Sequence, residues 1–279
     1  MAFWGPRRTR KGLFSGLIPY KPGGGWKGAQ CRAEGRIQLN IERARIAGIQ
    51  TVLVSDENMI GSVRANMRTA ELYPAIGERM SRYAQAFNGK ITRIALGIRA
   101  QDRYWSSAIA YGVARGHPVP RKRKLESIAT NTRSWRDVVT DLNCAVPGAE
   151  ICVLPYESYY ANPQTLLSKT CKIVAPVQGG HEWLNRAPDL PKLRCMLEER
   201  GEDPAQLPKG DGHWQPFSDT QIATMQEKFA DDLFWLAAGA GGLATMTEEA
   251  MPGGRGKAHR TGDIRGQRYD EEGYLDKTG

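Results

Sequence analysis

The sequence lacks the features that mark membrane-spanning, secreted and zinc-stabilised proteins. No apolar run approaches the roughly 18 to 20 residues that a transmembrane helix needs. The Arg-rich N-terminus is not followed by the apolar stretch of a secretory signal. The five cysteines are scattered and form no CxxC pair, which favours reduced thiols over a disulfide framework or a zinc site. These absences predict a cytoplasmic protein with no membrane span and no metal.

The composition is that of a globular protein with an excess of positive charge. A hydrophobic share of 41% and a charged share of 25% are ordinary for a folded domain. The net charge is +9, and residues 1–36 hold eight Lys and Arg side chains against the single acid Glu34. A second basic cluster spans 121–124. Such clusters attract polyanions of many kinds, and charge by itself does not choose between nucleic acid, acidic lipid and a phosphorylated cofactor.

Short apolar runs alternate with helical patterns along the chain. The predicted strands lie at 51–54, 91–98 and 150–154. The predicted helices lie at 37–47, 73–87, 101–115, 134–142, 163–172 and 218–236, and Ser134 and Ser218 are their clearest capping residues. Strands separated by helices predict an α/β fold with a mostly parallel sheet and helices on both faces.

The predicted domain organisation is a single α/β domain over 1–250, in which 1–36 form a basic, irregular N-terminal segment. From residue 252 onward the tail has seven Gly among 28 residues, nearly balanced charges and few apolar side chains. Such a segment buries too little apolar surface to offset its ordering entropy. The sequence therefore predicts a disordered, Gly-rich tail over 251–279.

Arg99 and Ser107 form the first candidate site. Arg99 follows a predicted strand, and the carboxyl ends of strands in open α/β sheets are where ligands usually bind. A guanidinium group suits a phosphate, and the hydroxyl of Ser107, eight residues later in a predicted helix, can donate a further hydrogen bond. The alternative is an ordinary surface arginine beside a small helical residue.

The loop at 207–214 is the second candidate. It holds Lys209, Gly210 and Trp214, and a Gly-rich loop can bring backbone N–H groups close to a phosphate while an aromatic ring stacks on a base. The alternative is a plain turn before the helix that follows.

Glu57 is the candidate catalytic base. It lies in the polar stretch after the strand at 51–54, where a carboxylate can take the proton of an acceptor hydroxyl. The alternative is an acid that only stabilises the start of a helix. The histidines His117, His181 and His213 are weaker candidates for the same role.

These residues, in this order, resemble the PAPS-dependent sulfotransferases, including bacterial members. In that family an Arg that ends a strand and a Ser eight residues later hold the 3′-phosphate of the donor nucleotide, as Arg99 and Ser107 would. Residues 135–157 are similar to the family's helix and strand that end in a Tyr-Glu pair, and 218–236 are similar to its closing helix. The loop at 207–214 is similar to the family's late Lys-Gly loop, one residue shorter. The resemblance covers about 50–245.

The resemblance implies the P-loop nucleotide-hydrolase-like sulfotransferase fold and transfer of a sulfuryl group from PAPS to a hydroxyl of a carbohydrate or small metabolite. Arg99, Ser107, Lys209 and Gly210 would hold the nucleotide, Trp214 would stack on its base, and Glu57 would act as the base. No metal is implied.

The sequence departs from the family at its start. The family begins with a strand and a Lys-Ser/Thr-Gly-Thr-Thr-like loop that holds the 5′-phosphosulfate, and nothing of that kind precedes residue 50. We therefore expect the first strand and loop to be missing, which leaves two explanations open: a shortened chain, or a protein that binds a related ligand without catalysing transfer. Either would leave the sheet short of a strand, which a partner or a second copy could supply.

The alternative function is that of a non-catalytic nucleotide- or polyanion-binding protein that uses the basic N-terminal segment. It predicts steeply salt-dependent binding to nucleic acid with little sequence preference. A P-loop kinase is a third option, but the sequence has no GxxxxGK[ST] motif.

Overall fold

A computed structural model of the chain describes residues 1–18, 26–159, 163–172 and 186–247. The strands are β1 Ala2–Trp4, β2 Val52–Val54, β3 Arg93–Ile98, β4 Glu150–Pro155 and β5 Thr245–Met246. The helices are α1 Pro6–Arg8, α2 Trp26–Ile46, α3 Val63–Thr69, α4 Ile76–Phe87, α5 Gln101–Ala114, α6 Lys122–Ala129, α7 Trp135–Ala145, α8 Tyr156–Tyr159, α9 Pro163–Cys171, α10 Leu190–Glu199 and α11 Asp219–Ala237. A π-helical turn covers Thr9–Leu13, and 3₁₀ turns cover Pro204–Gln206 and Ala240–Gly242.

The fold is α/β, and every strand pair in the described residues is parallel. β1 pairs with β2, while β3 pairs with β4 over six residues and β4 pairs with β5. The three predicted strands correspond to β2, β3 and β4. The strands nevertheless form two separate sheets, β1-β2 and β3-β4-β5, rather than one.

Helices α2, α4 and α7 form one layer in which α4 packs against both of the others. Arg82 of α4 donates to Gln30 of α2, and Lys90, just after α4, donates to Gln38, so the contacts advance in step along both helices. The Tyr73 and Trp135 rings lie 6.1 Å apart before α4 and at the start of α7, and further along both helices a Cβ atom added at Gly77 would lie 3.8 Å from Asp141. The three helices therefore run in the same direction.

A second group of helices consists of α5, α10 and α11, in which α5 packs against the other two. Both groups share a continuous hydrophobic core that includes Trp4, Ile37, Leu96 and Met225. No helix in the described ranges is long and apolar enough to cross a membrane.

Several boundaries follow from capping chemistry that the sequence predicts. Ser134 caps α7 in a capping box with Asp137, and Ser218 caps α11 in one with Gln221. Helix α4 ends at Asn88, which has a φ of +50° and is followed by Gly89, so the chain turns away in the left-handed conformation that these residues tolerate.

The prediction that 1–36 is irregular is wrong for the described residues of that segment. Ala2–Trp4 form β1, helical turns follow as far as Leu13, and α2 begins at Trp26 rather than near residue 37. Leu13, Leu17 and Ala33 are buried in the core, which stabilises this part of the chain. Gly28 and Gly35 weaken the helical pattern in the sequence, since Gly disfavours helix interiors. The predicted tail at 251–279 lies outside the described residues.

Candidate functional site

Arg99 lies immediately after β3, at the carboxyl end of the β3–β4 pair. Its Nε donates to Oε1 of Glu157, which follows β4, at 3.0 Å. Arg103, in the first turn of α5, approaches the same oxygen with its Nη1 at 3.6 Å. The two arginines and one glutamate leave a net positive charge at the start of α5, where the helix dipole also favours an anion.

The Arg99 side chain is held from two further directions. Its guanidinium carbon lies 4.8 Å from the centre of the Tyr156 ring, a cation–π contact. The buried Trp135 donates from Nε1 to the Arg99 carbonyl oxygen at 2.7 Å. Among the described residues, the Nη groups of Arg99 have no hydrogen-bond partner, and the side chain is 31% exposed. The Arg99 side chain is therefore held in place while its Nη donors remain available to a ligand.

Ser107 lies at the i+4 position from Arg103, so both side chains are on the same face of α5. It is partly exposed, whereas its neighbour Ser106 is buried and donates to the Asp102 carbonyl oxygen and contacts Gln215. In the described residues no hydrogen bond joins Ser107 to Arg99. Arg103, which the sequence analysis does not single out, contacts the same carboxylate as Arg99 and lies on the same helix face as Ser107.

A cavity of about 340 Å³ opens beside this cluster, between α5, α11 and the end of β4. Its polar groups come from Arg103, Glu157, Ser158 and Gln226, and its apolar walls include Phe229 and Leu233. This volume lies at the lower end of the range for small-molecule sites, and the mix of apolar walls with a few polar groups is typical of them.

A buried polar pair lies behind the cavity, at the first turn of α5. Gln226, which lines the cavity, donates to Oδ2 of Asp102 at 3.2 Å. Asp102 and Gln101 are each 3% exposed, and Oδ1 of Asp102 and Nε2 of Gln101 have no partner in the described part of the chain. Unsatisfied buried groups are rare in folded proteins, because each costs about 1–3 kcal/mol. The only sequence signal for them is two polar residues directly after Arg99-Ala100.

The loop at 207–214 is tied to α10. Arg194 donates from Nη1 to the Pro208 carbonyl oxygen at 2.6 Å and from Nη2 to that of Gly210 at 3.0 Å. Lys209 is exposed, and Gly210 has a φ of +116°, which an L-residue rarely adopts. The structure does not bring Lys209 or Gly210 into contact with Arg99.

The expectation that the Trp214 ring is free to stack on a base is wrong in this conformation. Its side chain is only 6% exposed and belongs to the hydrophobic core. The ring packs inward because burying its large apolar surface is strongly favourable. In this conformation Trp214 anchors the end of the loop.

A second charged cluster follows β1 and β2. Glu57 is 62% exposed and forms an ion pair with Nη2 of Arg10 at 2.5 Å. Its neighbour Asp56 is 6% exposed and accepts hydrogen bonds from Thr9 Oγ1 and Arg10 Nη2. Burial works against the charged form of Asp56, yet the hydrogen bonds from Arg10 and Thr9 outweigh it, so its pKa lies below the ordinary value.

This ion pair weighs against Glu57 as a base, because the Arg10 guanidinium already engages one of its carboxylate oxygens. β1 runs parallel to β2, and β3 runs parallel to β4. The Asp56–Glu57 cluster therefore follows the carboxyl end of β2, and the Arg99–Glu157 cluster follows the carboxyl ends of β3 and β4.

Several basic residues of the N-terminal segment are engaged within the protein. Arg8 donates to Asn40 at 2.8 Å and lies 4.9 Å from the centre of the Trp4 ring. Arg36 donates to the carbonyl oxygens of Gly12 and Ser15. Together with Arg10, these interactions remove three of the eight cations from a solvated basic patch. In the described part of this segment, the other exposed cations are Arg7, Lys11, Lys27 and Arg32.

In the described ranges no group of three or more His, Cys, Asp and Glu side chains is arranged to hold a metal ion. Comparison of the chain with protein-family models, with curated proteins and with solved structures found no match. The sulfotransferase resemblance therefore rests on the residues themselves, and the function is inferred from the geometry at the carboxyl edge of β3 and β4.

Proposed function

We propose that this protein is sulfotransferase-like and binds a 3′-phosphorylated adenine nucleotide at Arg99. The observation that carries the proposal is the state of Arg99 itself: its Nε is fixed by Glu157, its face lies on Tyr156, and its Nη donors are directed to no described residue. A terminal phosphate suits such donors, because charge-assisted hydrogen bonds to guanidinium are among the strongest in proteins. Arg103 and Ser107, on the adjacent helix face, would extend the same anion site.

The proposed reaction is transfer of a sulfuryl group from PAPS to a hydroxyl of a carbohydrate or small metabolite. The acceptor oxygen forms a new bond to sulfur, the bond from sulfur to the phosphate oxygen breaks, and the bisphosphate PAP leaves. The acceptor's proton passes to a carboxylate, for which Glu57 is the candidate. Residues 1–279 contain no loop of the kind that holds the phosphosulfate in this family. Nucleotide binding is therefore the part of the proposal that the described contacts support most directly.

The experiment is a calorimetric titration of the full chain with PAP at moderate salt. We expect saturable one-to-one binding that Arg99→Ala weakens about 10- to 100-fold, the effect of losing charge-assisted hydrogen bonds worth about 1.5–3 kcal/mol. Arg93→Ala is the matched control, because Arg93 also pairs with a glutamate but lies at the opposite end of β3. Equal affinity of the wild type and Arg99→Ala would rule out this site.

The polyanion-binding alternative is separated by a variant that leaves the core intact. Because Trp4, Leu13 and Leu17 are buried, removing residues 1–36 would disturb the fold. Replacing the exposed Arg7, Lys11, Lys27 and Arg32 with Gln removes charge without removing core contacts. The sulfotransferase proposal predicts unchanged PAP affinity in this variant. The alternative predicts loss of nucleic-acid binding and a smaller dependence of that binding on salt.

A further inference from the structure

The cavity beside Arg99 adjoins the site proposed for the 3′-phosphate. The base and the 3′-phosphate of a nucleotide are attached to the same ribose ring, so the base must bind close to Arg99. The resemblance assigns the base to Trp214, but that ring is buried in the core. The cavity of about 340 Å³ meets the requirement instead, because Glu157 both lines it and accepts the hydrogen bond from Arg99 at 3.0 Å.

One face of α11 forms a wall of this cavity. Gln226, Phe229 and Leu233 are spaced by three and four residues, so their side chains lie on the same side of the helix, and all three line the cavity. Phe229 and Leu233 offer apolar surface to a flat ring system. Gln226 adds an amide that can hydrogen-bond to the edge of such a ring. The wall therefore has the chemistry of a site for a heterocyclic base.

Asp102 fixes the orientation of the Gln226 amide. The Nε2 of Gln226 donates to Oδ2 of Asp102 at 3.2 Å. Because an ionised carboxylate only accepts hydrogen bonds, the amide must turn its NH₂ group, and not its oxygen, toward Asp102. Within the described residues no other group hydrogen-bonds to this amide. Its Oε1 and its second N–H are therefore available to a ligand in the cavity.

The burial of Asp102 is unfavourable for stability. Asp102 is 3% exposed, and its Oδ1 has no hydrogen-bond partner in the described part of the chain. A carboxylate buried with one neutral hydrogen bond opposes folding. Natural proteins tolerate such local conflicts mainly at functional sites. The bond from Gln226 links this unfavourable group to the cavity.

An oriented glutamine amide distinguishes adenine from the other purines. Adenine presents a donor, its N6 amino group, beside an acceptor, N7, and a glutamine side chain pairs with both. In guanine and hypoxanthine a carbonyl oxygen replaces the N6 amino group, so two acceptors stand side by side. That carbonyl would face Oε1 of Gln226, acceptor against acceptor. Flipping the amide would relieve this conflict but would turn Oε1 toward the Asp102 carboxylate.

We propose that the cavity is the base subsite of the nucleotide and that Gln226, oriented by Asp102, selects adenine. This inference rests on the proposed function, because the phosphate on Arg99 brings the base to the cavity. Gln226 is the residue that contacts the base. Asp102 is a positioning residue, because it acts on the base only through Gln226.

The test compares PAP with inosine 3′,5′-bisphosphate, in which hypoxanthine replaces adenine, by calorimetric titration of the full chain. We expect the wild type to prefer PAP by about 5- to 100-fold. Gln226→Ala, a change of an exposed side chain, should reduce this preference to below about threefold. Asp102→Asn should reduce it as well, because the new amide can donate to Oε1 as readily as it accepts from Nε2. Gln221→Ala is the matched control on the same helix, since Gln221 does not line the cavity, and should keep the preference.

Equal affinity of the wild type for the two nucleotides, with Arg99→Ala still weakening both, would overturn this inference and leave the phosphate site intact. An unchanged preference in Gln226→Ala would have the same meaning. If Asp102→Asn bound both nucleotides more weakly but kept the wild-type preference, Asp102 would have a structural role and the positioning role would be wrong. Absence of binding by both nucleotides would overturn the proposed function and this inference together.

Discussion

Two Arg–Glu pairs bridge β3 and β4, one at each end of the strands. At the amino end, Arg93 donates from Nε and Nη2 to Glu150 and from Nη1 to the Thr170 carbonyl oxygen. At the carboxyl end, Arg99 uses only its Nε, toward Glu157. The same pair of residue types thus makes a saturated structural link at one end and a positioned cation with unused donors at the other. This difference supports the proposal that the carboxyl end binds an anion.

Removal of the Trp135 ring should lower the free energy of unfolding the most, because this buried ring packs in the core and supports the backbone at Arg99. The ring is 2% exposed, so Trp135→Ala should lower the free energy of unfolding by about 3–5 kcal/mol in urea denaturation. Trp135→Phe keeps most of the packing but loses the N–H that donates to the Arg99 carbonyl, and should lower it by about 1 kcal/mol or somewhat more. A loss below about 1 kcal/mol for Trp135→Ala would contradict the role given to this ring.

The two arginines should rank in opposite order for stability and for binding. Arg93→Ala breaks three hydrogen bonds and should lower the free energy of unfolding by about 1–2 kcal/mol. Arg99→Ala breaks one partly exposed ion pair and a cation–π contact and should lower it by about 0.5–1 kcal/mol, whereas only this variant of the two should weaken PAP binding. Urea denaturation of both variants checks this ranking. An equal loss of stability in the two would remove the contrast between the two ends.

In the proposed site Glu157 would compete with the bound nucleotide for Arg99, so its neutral variant should bind PAP more tightly. We expect Glu157→Gln to lower the dissociation constant about three- to tenfold in calorimetry, since the Nε is released from an ionic partner. Glu150→Gln is the control at the amino end and should leave the affinity unchanged. Weaker binding by Glu157→Gln would mean that Glu157 holds Arg99 in place rather than competing with the ligand.

The lowered pKa of Asp56, which follows β2, should affect how the free energy of unfolding depends on pH in acid. Because the pKa of Asp56 is lowered on folding, its contribution is present above the unfolded value of about 3.9 and is lost as the pH falls through the folded value. Asp56→Asn should therefore flatten the fall of the free energy of unfolding below about pH 4. An unaltered pH profile would show that Asp56 is not the group responsible.

The sequence predicts local structure well where one residue type decides it. Short apolar runs mark β2, β3 and β4, and the hydroxyls of Ser134 and Ser218 mark the starts of α7 and α11. The sequence pattern does not predict helices α3, α6 and α10. Helix α2 begins earlier than its pattern suggests, because tertiary burial of Ala33 outweighs the low helix propensity of Gly28 and Gly35.

The site was less accessible to sequence reasoning, because its contacts join distant parts of the chain. The position of Arg99 follows from the end of a strand, but its pairing with Glu157 spans 58 residues. The inward packing of Trp214 likewise depends on neighbours that local sequence does not reveal. The division of the described strands into two sheets likewise has no local signature in the sequence.

The most direct test of the central claim is a cycle of four affinities: PAP and adenosine 5′-phosphate, each with the wild type and with Arg99→Ala. The two ligands differ only in the 3′-phosphate, so the cycle isolates its interaction with Arg99. We predict that the wild type prefers PAP by about 10- to 100-fold and that Arg99→Ala loses most of this preference. The same preference in both proteins would show that Arg99 does not bind the 3′-phosphate and would contradict the account.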